Sequence, residues 1–377
     1  MDTIALVLLG LLLLALVLWD VFETIVVPRP TPGWFRIGRY IVRVAWRLVR
    51  AAAGPGPDRS AAVERTMGLF APAATLVLLV AWLVGLFVAF GLILFGLRDQ
   101  LEPSPPNLGS AIYFSASSVL TIGYGDIVAT GTLARIAVVA AAVCGLGIVA
   151  LVVTFLFSLY GSYQRREAPV VLLQAKAGSP LSAVVLLENL ARFQLADHLP
   201  QFFGEWERWE VEVLDSHVAY PLLGYFRSSH DNLSWISALG TVLDTATLVL
   251  TTIEGVGRGQ AELVKVLGDH LVEDITNLGN RAPASATLDR ASFDAVYDRL
   301  AAAGYRLAPE DVAWPAFSAA RASYAGRLAE MAAFWVAPSV SWFGGSEALR
   351  SPTHRPARAD ETAAAASLSA TEEAAER

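Results

Sequence analysis

Two stretches of this chain carry no charged residue: the 32 positions from Thr66 to Leu97 and the 29 from Ile136 to Gln164. A helix of about 20 apolar residues crosses the hydrocarbon core of a bilayer, so each stretch can span it with some tilt. A third apolar run goes from Thr3 to Trp19 and continues less purely to Val27. A cleaved leader would have a basic amino end and small residues at its cleavage site. Here Asp2 precedes the run, and Asp20 and Glu23 follow its core, which favours a retained span. Only 17% of the 377 residues are charged and the mean hydropathy is +0.49, too apolar for an ordinary soluble chain.

Arginine sets the expected orientation. Arg29, Arg36, Arg39, Arg43, Arg47, Arg50, Arg59 and Arg65 lie between the first and second runs, and Arg165 and Arg166 follow the third. The opposite side offers Arg98 and Arg135. The positive-inside rule puts the first connection and the carboxyl half in the cytoplasm and the amino terminus outside, as in a multi-pass protein of the plasma membrane. Arg36, Arg39, Arg43, Arg47 and Arg50 recur at helical spacing, with Phe35, Ile37, Tyr40, Ile41, Val44 and Leu48 largely elsewhere. A basic amphipathic helix on the inner leaflet is expected, with Trp34 and Trp46 at the interface. A voltage sensor would need such charges inside a spanning helix. Residues 1–166 hold 12 Arg against 8 Asp and Glu, whereas residues 167–377 hold 16 Lys and Arg against 27. An acidic carboxyl half argues against a nucleic-acid partner. Cys144 is the single cysteine, which excludes a disulfide framework and a cysteine-based zinc site.

Leu108 to Leu120 is apolar but only 13 residues long, too short to span and suited to a re-entrant helix opened by Pro105, Pro106 and Asn107. The hexapeptide Thr121-Ile122-Gly123-Tyr124-Gly125-Asp126 follows. Non-helical backbone at this depth is tolerated only where it is buried in protein or lines a cavity. A dehydrated cation needs rings of oxygens in place of its water, and inward-pointing backbone carbonyls supply them. Gly123 and Gly125 accept the backbone angles that turn successive carbonyls the same way. Thr121 can add a hydroxyl, Tyr124 can brace the strand against the preceding helix, and Asp126 puts a carboxylate at the outer mouth.

These residues resemble the potassium-channel signature Thr-Val-Gly-Tyr-Gly-Asp, with Ile122 in place of Val. Residues 68–163 resemble the two-span pore of bacterial potassium channels. The resemblance implies K+ as the permeant ion, held by the carbonyls of Thr121, Ile122, Gly123, Tyr124 and Gly125 and by the Thr121 hydroxyl, with no cofactor and no enzymatic activity. Gly145 stands 20 positions after Gly125, where that family often has a hinge glycine. Close helix packing is the other reading of Gly145 and Gly147. Arg135 falls where the family often has an arginine. Leu120 replaces a common threonine, Ala129 a usual proline, and Ser117 stands where some members carry a glutamate that braces the filter. One such strand per chain implies a cyclic homotetramer.

The expected fold is an all-α membrane protein. It has an amino-terminal span (1–30), a basic interfacial helix and linker (31–65), a pore domain (66–166), an all-α cytoplasmic domain (167–345) and a disordered tail (346–377). Ser179-Pro180 reads as an N-cap and first-turn proline for a helix over 181–195. Further helices are expected over 235–253, 261–277, 291–303 and 309–335. Ile236 to Ile253 is long enough to approach a span, but Asp244 at its centre and five threonines favour a buried helix of the cytoplasmic domain. His217, Tyr220, Arg227, His230 and Trp235 lie within 19 residues. They read either as a satisfied polar network or as a sensor of protons or an unidentified cytoplasmic ligand, coupled to the pore.

Overall fold

The structure, a computed structural model, describes residues 3–27, 37–53, 61–228, 233–277 and 288–337. Arg29, Trp34, Arg36, Arg59, His230 and the tail over 346–377 lie outside the described residues. The chain opens with α1 (Thr3–Val21), prolonged by a π-helical turn over Phe22–Val26, then α2 (Ile37–Ala53) and α3 (Ala61–Gly96). The short α4 (Leu108–Val119) and the 46-residue α5 (Thr132–Ala177) follow. Among the described residues α1, α3 and α5 are long and apolar enough to cross a membrane.

Helices in lipid gain little from the hydrophobic effect against one another, so they associate where small residues let backbones approach. That is how α1 lies antiparallel on α3. A Cβ at Gly10 would come within 2.7 Å of the Ala89 carbonyl oxygen, Gly85 lies against Val17, and Gly96 lies against Val7. At the far end of this contact Asp20 is buried. Its carboxylate accepts the Trp82 indole N–H at 2.8 Å and the Gly38 backbone N–H at 3.2 Å. One acid thus ties α1, α3 and the first turn of α2 together.

α5 does not stop where its apolar stretch ends. It runs unbroken through Arg165 and Arg166 to Ala177, about 69 Å at 1.5 Å per residue. The last span and the carboxyl-terminal helices therefore share one element. These helices are α6 (Ala183–Arg192), α7 (Leu199–Ala219), a 3₁₀ turn over Pro221–Tyr225, α8 (Trp235–Thr251), α9 (Gly259–Asn277), α10 (Arg290–Ala302), α11 (Glu310–Ala322) and α12 (Ala325–Trp335). Among the described residues the only strands are two antiparallel pairs of two residues, Leu101–Glu102 with Val128–Ala129 and Ile253–Glu254 with Arg306–Leu307. The fold is all-α.

α8, the ambiguous apolar run, forms the core of the carboxyl-terminal domain. Every residue from Trp235 to Val249 is buried, against α5, α6, α9, α11 and α12. The Thr241, Thr245, Thr247 and Thr251 hydroxyls donate back one turn to the carbonyls of Ser237, Thr241, Leu243 and Thr247, so none is left bare. Asp244 is fully buried and accepts Arg321 Nε at 2.9 Å and the Tyr324 hydroxyl at 2.7 Å. Burial raises the Asp244 pKa, and Arg321 and Tyr324 oppose that rise.

Two expectations about helix ends are corrected. The helix expected over 309–335 breaks after Ala322, because the turn at Ser323 lets both Arg321 and Tyr324 converge on Asp244. The cap of α6 is Ser182, which accepts from the Val185 N–H at 3.4 Å, while Ser179-Pro180 lies in the preceding turn. Glu210, by contrast with Asp244, is buried with neither carboxylate oxygen hydrogen-bonded. Burial, then Glu207 and Asp269, raise its pKa well above the usual carboxylate range.

Asp244→Ala removes the countercharge of a buried arginine and is expected to cost about 3–5 kcal/mol of stability. A denaturant titration of the purified protein in detergent, followed by tryptophan fluorescence, measures it; a midpoint unchanged from wild type contradicts this account.

Candidate functional site

The hexapeptide begins as the terminator of α4. Asn107 caps the start of that helix, accepting from the Ser110 N–H at 2.9 Å. At the other end Thr121 N–H donates to the Ser118 carbonyl (3.0 Å) and Ile122 N–H to the Ser117 carbonyl (2.8 Å). This pair of bonds is the left-handed C-terminal cap that usually carries glycine. Thr121 adopts it with φ of 55°, a strained conformation for a β-branched residue. Gly123 (φ 64°) and Gly125 (φ 79°) are also left-handed, whereas Ile122 and Tyr124 are not. Left-handed and ordinary backbone therefore alternate from Thr121 to Gly125. A Cβ on Gly123 or Gly125 would meet nothing within 4 Å inside the subunit. Backbone conformation, not crowding, therefore demands glycine there.

The loop is clamped from both sides. Leu101–Glu102 pairs with Val128–Ala129 and joins its two ends. The Gln100 backbone carbonyl accepts from Thr130 and Gly131, and the Gln100 side chain accepts from the Leu133 and Ala134 N–H groups. Gly131 has no side chain to cap α5, so Gln100 supplies the cap from across the loop. Arg135 Nε donates to the Ala129 carbonyl at 3.1 Å. The Tyr124 ring stacks on Tyr113 of α4, with centroids 6.2 Å apart and planes 6° from parallel. Ser117 is buried and gives the loop its backbone carbonyl. A Cβ on Gly145 would fall 1.9 Å from the Val119 carbonyl oxygen. Gly145 thus lets α5 touch the end of α4 two residues before Thr121, while Gly147 is in open space.

Thr121 to Asp126 are all exposed in the single subunit. So is one face of α5, carrying Ile136, Val139, Val143, Leu146, Val153 and Phe157. The opposite face, Ala137, Ala141, Gly145, Ile148, Val152 and Phe155, is buried.

The second residue group predicted from the sequence is partly assembled, around a residue it did not contain. Arg166 of α5 is buried; its guanidinium donates to the carbonyls of Leu223 (2.9 Å) and Phe226 (2.8 Å), to Glu167 Oε1, and to His217 Nε2 (3.2 Å). It lies 5.6 Å from the Trp235 ring. The Trp209 indole N–H donates to the Arg166 carbonyl. His217 Nδ1 bonds the Val213 carbonyl at 2.8 Å, so the proton sits on Nδ1 and Nε2 accepts from Arg166. Burial first, then the Arg166 charge, push His217 down to about 3. The imidazole is neutral throughout the physiological range. Tyr220 packs instead on Phe155 of α5. The Arg227 guanidinium reaches Met67 of α3 and the Val336 carbonyl, and its own carbonyl accepts from Tyr163. The cavity beside Arg166 is about 10 Å³, too small for an organic ligand. In the sequence Arg165 and Arg166 mark only the end of the last apolar run; the signal for this cluster is an arginine inside a helix with tryptophans and a histidine downstream.

Residues 75–161 match a family model described as "Ion channel". The matched segment begins within α3 and ends in the apolar part of α5, enclosing α4 and the hexapeptide. It supports an ion-channel pore in a multi-pass membrane protein. No curated protein and no solved structure matches the chain.

Replacing Gly123 or Gly125 by alanine forces a Cβ into the left-handed region at roughly 1–2 kcal/mol per residue. Each variant is expected to lose ion flux in liposomes while remaining folded; undiminished flux from both refutes the role given to this loop. The histidine gives a pH signature. An unfolded His217 takes up a proton below about 6.5, but the folded one does so only near 3. Stability therefore falls as pH drops through that window. His217→Asn should flatten the decline in melting temperature between pH 7 and pH 5 relative to wild type.

Proposed function

We propose that the chain is one subunit of a potassium-selective channel. Four copies would surround a common axis and conduct K+ passively across the plasma membrane. The alternation of left-handed residues at Thr121, Gly123 and Gly125, inside a segment that matches an ion-channel family model, supports this reading: carbonyls of such a loop lining a common axis would let K+ exchange its water for them. The Thr121 hydroxyl would add to these oxygens, with Asp126 at their outer end. A ring needs more than one strand, and the exposed loop and apolar face of α5 are the surfaces that partner subunits and lipid would cover.

Orientation follows from packing and charge together. The basic helix α2 and the carboxyl-terminal helices meet at one end of the spans through Trp46, Tyr225 and Phe334. Arginine favours the cytoplasmic side, so the carboxyl-terminal domain is proposed to be cytoplasmic, with the amino end of α1 outside. Arg166 is the proposed coupling point between that domain and the pore. Gly145 makes the connection to the filter: a bend of α5 there moves the contact with Val119, two residues before Thr121.

Purified protein in liposomes with K+ on one side and Na+ on the other should show a reversal potential that follows the K+ gradient. Equal permeability to both ions would leave a nonselective cation channel and overturn the selectivity assigned to this loop.

A further inference from the structure

α2 presents three adjoining stripes. One is buried: Trp46, 3% exposed, packs on Phe70 of α3, Tyr225 of the 3₁₀ turn and Phe334 of α12, at ring separations of 4.9, 5.2 and 6.5 Å. Its indole N–H donates to the Phe334 carbonyl. This corrects the expectation that Trp46 sits at a lipid interface. The other two stripes are exposed. Arg43, Arg47 and Arg50 form one, and Tyr40, Val44 and Leu48 the other. Arg43 lies over the Tyr40 ring, and none of the three arginines has an acidic partner among the described residues.

Unpaired guanidinium groups beside an exposed apolar stripe match the boundary between acyl chains and phosphate headgroups. The helix is also held at that height. Asp20, at the end of α1, takes the Gly38 N–H, and the buried stripe packs on Met67 and Phe70 near the start of α3. Behind it the contacts continue. Tyr225 belongs to the turn whose Leu223 carbonyl, with that of Phe226 just beyond, holds Arg166 on α5. We propose that α2 binds anionic phospholipid headgroups and relays their occupancy through Trp46 and Tyr225 to Arg166. The relay rests on the channel reading above; the lipid site does not.

Binding is read without flux. In neutral detergent, short-chain phosphatidylglycerol should raise the melting temperature more than phosphatidylcholine does. The exposed triple variant Arg43→Gln/Arg47→Gln/Arg50→Gln should abolish that difference. Equal shifts in wild type, a difference that survives in the triple variant, or the same shift from inorganic phosphate alone overturns the lipid site. In liposomes, K+ flux should change several-fold when phosphatidylglycerol is added to phosphatidylcholine, and the triple variant should not respond. Trp46→Leu should keep the thermal shift and lose the flux response. A wild-type flux indifferent to lipid, with the thermal shift intact, overturns the relay. No flux in any lipid sinks the channel reading and the relay together, and leaves the lipid site standing.

Discussion

Backbone that is neither helix nor closed sheet cannot stand in a bilayer unless its polar groups are satisfied or face a watery cavity. The loop after α4 is where this chain meets that demand, and much of the surrounding membrane structure serves it. Its first two N–H groups return to the end of α4. Its exit is tied to its entry by the short strand pair and by Gln100, which also caps α5. Left-handed residues then stand at alternate positions, Thr121, Gly123 and Gly125, and the loop is exposed in the single subunit. Strain at Thr121 is tolerated because α4, α5 and the cross-loop bonds over-determine its position.

The same economy of polar groups appears at three buried charges. Asp20 joins α1, α2 and α3; Arg166 joins α5 to α7, α8 and the turn between them; Asp244 joins α8 to α11 and α12. Each charge is desolvated and answered by several partners from different helices, which is the condition under which a buried charge persists. Because α5 is continuous from the loop to Arg166, the grip on Arg166 and the contact at Gly145 act on one element.

The long apolar runs, the short apolar helix and the glycines were legible because lipid and backbone geometry restrict residue type so strongly. Asp244 was legible as a reason to bury 235–253 in a helical domain, since a lone acid is costly at a membrane centre. Its partners were not, because Arg321 and Tyr324 come from 77 and 80 positions away. The break at Ser323 followed from that same long-range demand. Trp46 was misread for a related reason: an amphipathic tryptophan suits a lipid interface and a protein groove equally well, and its neighbours Tyr225 and Phe334 are distant in sequence.

By itself, then, the sequence determined three membrane-length helices, an all-α architecture and a loop whose glycines require left-handed backbone. These follow from local composition and sterics, which act on neighbouring residues. Only the tertiary structure decided that Thr121 shares the left-handed conformation, that Gly145 lies in contact with Val119, and that Arg166 is a hydrogen-bonded hub. Those depend on which distant groups arrive within hydrogen-bond reach, and burial then sets how strongly each is held.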